Sequence, residues 1–170
     1  MVSAQYPDAI GLGDITEITD TDLRLSVSRK TTVTHLLHSS GPPCQNVSGL
    51  NPSGGGVNGS KSKLVRALPQ LRAQIRKVFP HAIHGDLCEM VASLSQENQE
   101  AYDKINAGLP YRVCPGSMSY VRRPRLFWTS WDLIEGPGAH FRATNRWIDV
   151  KLTAKKMPLT RLSFIHISLC

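Results

Sequence analysis

The chain has 170 residues, 41% of them hydrophobic, which fits one ordinary globular domain with a buried core. Its formal net charge of +7 and its sequence pI of about 9.5 favour a phosphate-rich partner such as nucleic acid, although many basic proteins bind none. The chain has no run of about 18 apolar residues, and residues 1–14 lack the pattern of a signal peptide, so we expect an intracellular protein with no membrane partner.

Two apolar runs in the first third of the chain are predicted to be strands. Residues 10–18 (IGLGDITEI) form a short β-like run, and residues 32–39 are β-branched and apolar enough for a buried strand. The second run leads into residues 41–62, which begin with two prolines and contain a glycine cluster. Loops of this kind beside a strand are where α/β folds place functional groups, so we expect the site here.

An amphipathic, basic helix is predicted over residues 62–79. Its apolar positions recur at helical spacing, and lysines and arginines occupy the other faces. Pro69 lies inside this segment and is expected to kink the helix or split it in two. A surface helix with solvated charges explains these basic residues at least as well as a nucleic-acid contact does.

Strands and helices continue to alternate along the rest of the predicted domain. Residues 81–94 predict a strand and its exit, residues 95–107 a polar helix, and residues 111–114 and 126–129 two further short strands. This alternation predicts an α/β fold with a mostly parallel sheet flanked by helices. The sequence becomes basic and unpatterned after Trp131, so we expect a domain over residues 1–131 and a divergent tail, or the start of a target-recognition region, over residues 132–170.

Residues 41–51 (GPPCQNVSGLN) carry the strongest functional signal in the chain. Cys44 follows a stiff proline pair at the junction of a strand and a loop, where an isolated cysteine is usually just a small buried residue. The segment, however, resembles the Pro-Cys-Gln nucleophile loop of the cytosine-C5 DNA methyltransferase family, including the Ser-Gly-Leu-Asn extension often seen there. The resemblance implies that Cys44 is a catalytic nucleophile.

Four further segments resemble motifs of that family and occur in the family's order. They are residues 6–15, similar to the end of the cofactor-binding half; residues 59–64 (GSKSKL), similar to a Gly-x-Arg-Ser-x-Leu helix start; residues 87–91 (LCEMV), similar to the Glu-Asn-Val motif; and residues 121–128 (VRRPRLFW), similar to the Gln-x-Arg-x-Arg motif. The matches together cover residues 6–131. Each motif is short, and it is their order and spacing that make the resemblance specific.

The chemistry of the family gives each matched residue a task. Cytosine carbon-5 is too weak a nucleophile to attack a methyl sulfonium, so a thiolate, here Cys44, first adds to carbon-6 and makes the ring an enamine. The resemblance assigns Glu89 to ring nitrogen 3 on the Watson–Crick edge. Arg123 and Arg125, two positions apart on a predicted strand, would hold the base carbonyl, the nucleophile loop and a phosphate, with Arg125 at the base. The base must also leave the stack, and residues 53–59 fit either a closing loop or a flexible linker.

The resemblance also implies a fold, a cofactor and a substrate. The expected fold is a partial Rossmann-like methyltransferase fold that depends on S-adenosylmethionine, and the expected substrate is DNA. Asp14, Ile15 and Pro43 are assigned to the cofactor, and Gln45 and Ser48 to the substrate. No metal site is expected, because the four cysteines lie far apart and form no CxxC pair.

The sequence departs from the family pattern in its cofactor turn and in two supporting residues. The family's Phe-x-Gly-x-Gly turn is absent, and residues 11–13 (GLG) precede Asp14 with no helix start to receive the cofactor. Met90 and Val121 replace an asparagine and a glutamine, whose hydrogen bonds they cannot make. We therefore expect a partial catalytic domain, active alone or with a partner subunit that supplies the missing motifs.

Two alternatives to a DNA methyltransferase follow from the same residues. The first is an inactive methyltransferase-like fragment or regulatory module that still binds DNA through its basic surface. The second is a relative that methylates a cytosine of tRNA, since one branch of the family uses the same motifs. The expected compartment is the nucleus in a eukaryote and the cytoplasm in a bacterium.

Overall fold

The structure of the chain is a computed structural model that describes residues 10–27, 32–51, 53–114 and 123–131, and the backbone of two short strands beyond them. It is an α/β arrangement in which helices and strands alternate. In chain order the elements are α1 (Asp20–Leu25), β1 (His35–Ser40), the 3₁₀ helices Gly56–Asn58 and Ser62–Ala67, α2 (Leu68–Val78), β2 (Ile83–Val91), α3 (Gln96–Asn106), β3 (Tyr111–Cys114), β4 (Arg125–Thr129), β5 (Ile148–Asp149) and β6 (Ser163–Ile167).

The strands form one mixed sheet in the order β5-β3-β4-β2-β1-β6. β1 pairs in parallel with β2 and with β6, and β3 pairs in parallel with β5. β4 lies antiparallel between β2 and β3. The expected α/β class is confirmed, whereas the expected parallel order is found only in part, because β4 is antiparallel to both of its neighbours. The ten residues between Cys114 and Arg125 are too few for the helical crossover that a parallel neighbour needs, so β4 runs back against β3.

The hydrophobic core lies between one face of this sheet and helices α2 and α3. Side chains alternate between the two faces of a strand, and the buried positions of β1, β2 and β4 follow that alternation. Trp128 of β4 packs against Tyr102 of α3 with ring centroids 5.5 Å apart, and its indole Nε1 donates to Asp103 Oδ1 at 2.7 Å. The core residues of the strands and of the two helices are Leu36, Cys88, Met90, Leu126, Trp128, Leu68, Leu71, Ile75, Val78 and Tyr102.

Both predicted helices form, and their ends follow from local chemistry. The basic segment divides into the 3₁₀ helix Ser62–Ala67 and the α-helix α2, as Pro69 predicted. Proline is tolerated in the first helical turn because its missing N–H would have no partner there. In α3 the side chain of Ser95 accepts from the backbone N–H of Asn98, and Ala107 ends the helix in the left-handed conformation with φ of 55°.

The strands predicted within residues 32–39, 81–94, 111–114 and 126–129 are confirmed with small shifts at their ends. The strand predicted over residues 10–18 is wrong, because that segment is a loop with a turn at residues 15–17. Gly13 adopts a left-handed φ of 81°, which interrupts an extended strand.

The predicted boundary at residue 131 and most of the predicted tail, residues 132–170, lie outside the described residues, so that division stays a prediction. Of the tail, the structure gives the backbone of β5 and β6, which join the same sheet as β1 and β3. In the part of the chain that the structure describes, no helix has the length and apolarity to span a membrane.

Candidate active site

The Cys44 loop begins where β1 ends, at the carboxyl edge of the parallel β1–β2 pair. Pro42 is buried and Pro43 half-buried, and the chain then turns so that the backbone carbonyl of Cys44 accepts from the N–H groups of Val47 at 3.1 Å and Ser48 at 2.8 Å. The carboxyl ends of parallel strands are where open α/β sheets bind ligands. The predicted nucleophile loop thus lies at the edge of the sheet suited to a site.

The loop is tied to the segment that leaves β2. The N–H of Gly49 donates to the carbonyl of Ser93 at 2.6 Å, and the hydroxyls of Ser48 and Ser93 lie 3.2 Å apart. The Ser48 hydroxyl also accepts from the N–H of Leu50 at 3.3 Å, so it already contacts two groups of the protein. Gln45, the other predicted substrate residue, has an exposed side chain.

The glycine cluster packs closely around Asn46. The N–H of Gly56, whose φ is +58°, donates to the carbonyl of Asn46 at 3.0 Å. A β-carbon at Gly54 would overlap the backbone of Asn46, and one at Gly59 would overlap its side chain. Sequence analysis offered residues 53–59 as a closing loop or a linker; the structure gives their glycines a packing role that neither description includes.

Glu89 and Arg125 form an ion pair across the antiparallel strands β2 and β4. The guanidinium Nε lies 2.6 Å from Glu89 Oε1, and both side chains are partly exposed. Glu89 alternates with buried Cys88 and Met90, so its carboxylate lies on the sheet face opposite the core. A β-carbon added at Gly41 would lie 3.7 Å from Glu89 Oε2, which places the start of the nucleophile loop against this pair.

The Cys44 thiol is oriented differently from the carboxylate. Cys44 is a free, half-buried cysteine packed against the hydrophobic core, near buried Tyr102 of α3. Burial raises the pKa of Tyr102, and the nearby Cys88 and Cys44 thiols raise it further. Glu89 lies on the other face of the sheet, and the hydrogen bonds and ion pairs of the described residues do not join it to Cys44. The structure therefore brings together Glu89, Arg125 and the start of the loop, while the thiol itself packs inward.

Arg123 does not share the strand with Arg125. β4 begins at Arg125, and Arg123 precedes it with an exposed side chain. The predicted arrangement of both arginines on one strand face is thus realised for Arg125 alone. The guanidinium of Arg125 is fixed at two points, by Glu89 and by the carbonyl of Pro124, to which its Nη1 donates at 3.0 Å.

The three residues assigned to the cofactor lie in two segments, residues 14–15 before α1 and the nucleophile loop after β1. Asp14 is exposed, and its Oδ1 accepts from the N–H of Thr16 at 2.8 Å and from its hydroxyl at 2.7 Å. These bonds, the hydroxyl first, hold the pKa of Asp14 below its usual range. Ile15 packs against the core, and Pro43 is half-buried in the nucleophile loop. A cavity exists at the carboxyl end of α3, and it contains none of the predicted site residues: its lining is Glu100, Asp103, Lys104, Gly108 and Leu109.

The three cationic side chains of α2 pair with carboxylates of neighbouring elements. Arg76 bonds to the Asp86 carboxylate, and buried Arg72 lies with its Nε 3.4 Å from Asp86 Oδ1. Lys77 lies 3.0 Å from the Asp20 carboxylate of α1. Two interpretations of this helix were a surface helix with solvated charges and a basic surface that contacts nucleic acid. The structure favours neither, because these three cations hold neighbouring elements together.

Sequence analysis missed a cluster of ionisable residues beneath α2. His38 of β1 is fully buried with its Nδ1 2.8 Å from Asp86 Oδ1, and His84 Nδ1 lies 3.3 Å from His38 Nε2. The signal was present, because the alternation that buries Leu36 also buries His38, and the alternation that buries Cys88 turns His84 and Asp86 to the same face.

No protein-family model matches the chain, and no curated protein shows significant sequence similarity to it.

Proposed function

We propose that this chain is the nucleophile-bearing part of a cytosine-C5 methyltransferase that acts on DNA. The observation that supports it best is the Glu89–Arg125 pair against Gly41, since two residues matched to separate motifs meet at the start of the matched nucleophile loop. The partial Rossmann-like methyltransferase fold is part of the same proposal, and the parallel β1–β2 pair with helices on one face is compatible with it.

The ion pair has the hydrogen-bonding capacity that a cytosine ring needs. A guanidinium has five N–H donors, and Arg125 uses only part of them on Glu89 and Pro124, so others can reach the carbonyl oxygen at ring position 2. The Glu89 carboxyl group accepts from the exocyclic amine, and in its protonated form it donates its proton to ring nitrogen 3, which in neutral cytosine has a lone pair and no proton. A base held in this way would become more electrophilic at carbon-6 as charge develops on the ring.

The Cys44 thiolate is the group that adds to carbon-6 in this proposal. Its sulfur forms a bond to carbon-6, the carbon-5–carbon-6 double bond opens into an enamine, and carbon-5 then takes up an electrophile. The thiol must rotate away from the core contact for this addition, which the half-buried loop position permits. Finally the carbon-5 hydrogen leaves as a proton to solvent, its electron pair re-forms the carbon-5–carbon-6 double bond, and the thiolate is expelled.

DNA as the substrate rests on the resemblance and on the net charge of +7. S-adenosylmethionine is the methyl donor that the resemblance implies, and it stays a proposal together with the assignment of Asp14, Ile15 and Pro43. Because the sequence lacks the family's Phe-x-Gly-x-Gly turn, binding of the donor would need other residues, such as those of a partner subunit. We derive no step through it.

Exchange of the carbon-5 hydrogen isolates the step that these residues perform. Addition of a thiolate lets carbon-5 pick up a solvent proton and lose its own hydrogen, with no methyl donor required. The chain is incubated with duplex DNA that carries tritium at cytosine carbon-5, and release of tritium to water is measured. We expect release that is abolished by Cys44→Ser, is lowered about 10²-fold to 10⁴-fold by Glu89→Gln, and is unchanged by Glu97→Gln on the exposed start of α3.

A non-catalytic DNA-binding module is the second candidate, and the inward packing of the Cys44 thiol favours it. It predicts DNA binding whose affinity falls steeply with salt, no tritium release, and no effect of Cys44→Ser on binding. The tRNA alternative is separated by competition: a transfer RNA that displaces labelled duplex DNA at lower concentration than unlabelled DNA does would replace DNA as the proposed substrate.

A further inference from the structure

Three hydrogen-bond contacts link four groups in a row beneath α2. The Asp86 carboxylate lies 2.8 Å from Nδ1 of His38, whose Nε2 lies 3.3 Å from Nδ1 of His84. The Nε2 of His84 lies 2.9 Å from the backbone carbonyl oxygen of Phe79. The two ring planes are inclined at 62° with their centroids 5.3 Å apart, and the contact between the rings joins His84 Nδ1 to His38 Nε2.

The two ends of this row can only accept hydrogen bonds. The carbonyl oxygen of Phe79 carries no proton, and the Asp86 carboxylate is held ionised by Arg72 and Arg76. Burial raises the pKa of Asp86, but the hydrogen bond from His38 and the charges of the two arginines outweigh it, so this pKa lies below its usual range. The outer nitrogens, Nδ1 of His38 and Nε2 of His84, must therefore both carry protons.

Two neutral histidines do not have enough protons for this arrangement. A neutral imidazole has one N–H, so two rings provide two protons for three contacts. With both outer nitrogens protonated, the inner contact would set two lone pairs against each other at 3.3 Å. Moving either proton inward would instead set a lone pair against the Asp86 carboxylate or against the Phe79 carbonyl. One additional proton satisfies all three contacts at once.

The surroundings indicate which ring holds that proton. His38 has no exposed surface and lies directly against the negative Asp86, so a positive charge there is compensated. His84 lies on β2, near His38 of β1 and Arg76 of α2. Burial lowers the pKa of His84 most, and the charges of His38 and Arg76 lower it further, although the Phe79 carbonyl and Asp86 oppose this shift. A second proton on the pair is thus disfavoured.

We propose that His38 and His84 together hold one extra proton, carried by His38, and that this proton makes the packing of α2 on β1 and β2 sensitive to pH. The groups that face the pair are Asp86 of β2 and Arg72 and Arg76 of α2, and these stay charged through neutral pH. β1 continues into the Cys44 loop, so the element that responds to the proton is the strand that positions the candidate nucleophile.

Proton counting gives the shape of the pH dependence. In the unfolded chain each histidine is half-protonated near pH 6.5, so the two together bind about one proton there, as many as the folded pair. Above about pH 7.5 the unfolded pair binds almost none, and the folding equilibrium constant should fall by up to about tenfold per pH unit for as long as the folded pair keeps its proton. Below about pH 5.5 the unfolded pair binds two protons, and the constant should fall again. The contribution of the pair is therefore largest near pH 6.5.

Nitrogen-detected ring spectra of the whole chain test the proton count directly. We record the ¹⁵N shifts of the histidine side chains at pH 7.5, assigned with His38→Gln and with His81→Gln, which alters an exposed histidine. We expect His38 to carry protons on both nitrogens and His84 to carry one on Nε2. Two neutral rings, or a doubly protonated His84, would overturn the proposal.

Unfolding by urea between pH 6 and 9 gives the second readout. His38→Gln keeps an N–H donor towards Asp86 but holds no extra proton, so the loss of up to about tenfold per pH unit above pH 7.5 should disappear, while His81→Gln should retain it. Equal slopes for wild type and His38→Gln would contradict the inference. If the His38→Gln chain does not fold, the wild-type ring signals are assigned through bonds from the backbone, and they still decide the matter.

Discussion

The Asp86→Asn substitution should show how much more a buried ion pair contributes to the free energy of unfolding than an exposed one on the same helix. Asp86 compensates Arg72, whose side chain is 7% exposed, whereas Arg76 at 43% exposure can contribute at most about 1 kcal/mol. The amide keeps the volume but leaves the buried guanidinium with the side chain of Asn106 as its partner. Removing one member of a buried pair costs about 3–5 kcal/mol, so we expect a loss of that size at pH 7.

Asp20→Asn is the matched control, because Asp20 holds Lys77 of the same helix at the surface. The lysine is 76% exposed, and solvent screens the pair, so this change should cost less than about 1 kcal/mol. Urea unfolding followed by the fluorescence of buried Trp128 measures both variants against the wild type. Equal losses for the two variants would refute the argument that burial of Arg72 decides the cost.

The same comparison has an expected pH dependence. Because the folded-state pKa of Asp86 is lowered, its contribution is fully present above its unfolded value, near pH 4, and is lost as the pH falls through the folded value. The wild type should therefore approach the Asp86→Asn variant in stability below about pH 4. A difference between the two that stayed constant down to pH 2 would contradict this reasoning.

Three further substitutions probe the glycine loop, the core and the cap of α3. Gly54→Ala should destabilise by about 1–3 kcal/mol in urea unfolding, because its β-carbon meets backbone that cannot move aside, whereas Gly108→Ala enters open space and should cost less than about 1 kcal/mol. Trp128→Phe should cost about 1–3 kcal/mol, because it leaves Asp103 without its indole donor. The loss should be smaller at pH 4, because burial raises the pKa of the Asp103 carboxyl and favours its neutral form. Ser95→Ala should cost about 1 kcal/mol and lower the helical circular dichroism, and no change in either would contradict the assigned cap.

Local patterns in the sequence predicted most of the elements. A β-branched, apolar run located β1, the proline at position 69 predicted the break before α2, and Ser95 marked the start of α3. These features depend on residues a few positions apart, which a single sequence displays directly. The exception, the false strand over residues 10–18, arose where Gly13 bends an otherwise apolar run.

Contacts between distant segments were harder to predict. The antiparallel insertion of β4 depends on pairing partners that periodicity does not reveal, and the direction of the Cys44 thiol depends on how its loop meets α3. The basic residues of α2 looked like one surface, yet Lys77 pairs with Asp20, 57 positions earlier in the chain. Glu89 and Arg125 were assigned to the candidate site from two separate motifs, while their direct pairing became visible only in the sheet.

The position of β4 has a consequence for the order in which the protein is made. β2 is complete once residue 91 has been synthesised, but one of its two neighbours, β4, does not exist until residue 129. Until then β2 is an edge strand with a free row of backbone donors and acceptors, the type of edge on which chains aggregate. Ribosome-bound or truncated chains that end between residues 91 and 125 should therefore depend strongly on chaperones, and those that end before residue 125 would also lack the Arg125 half of the ion pair.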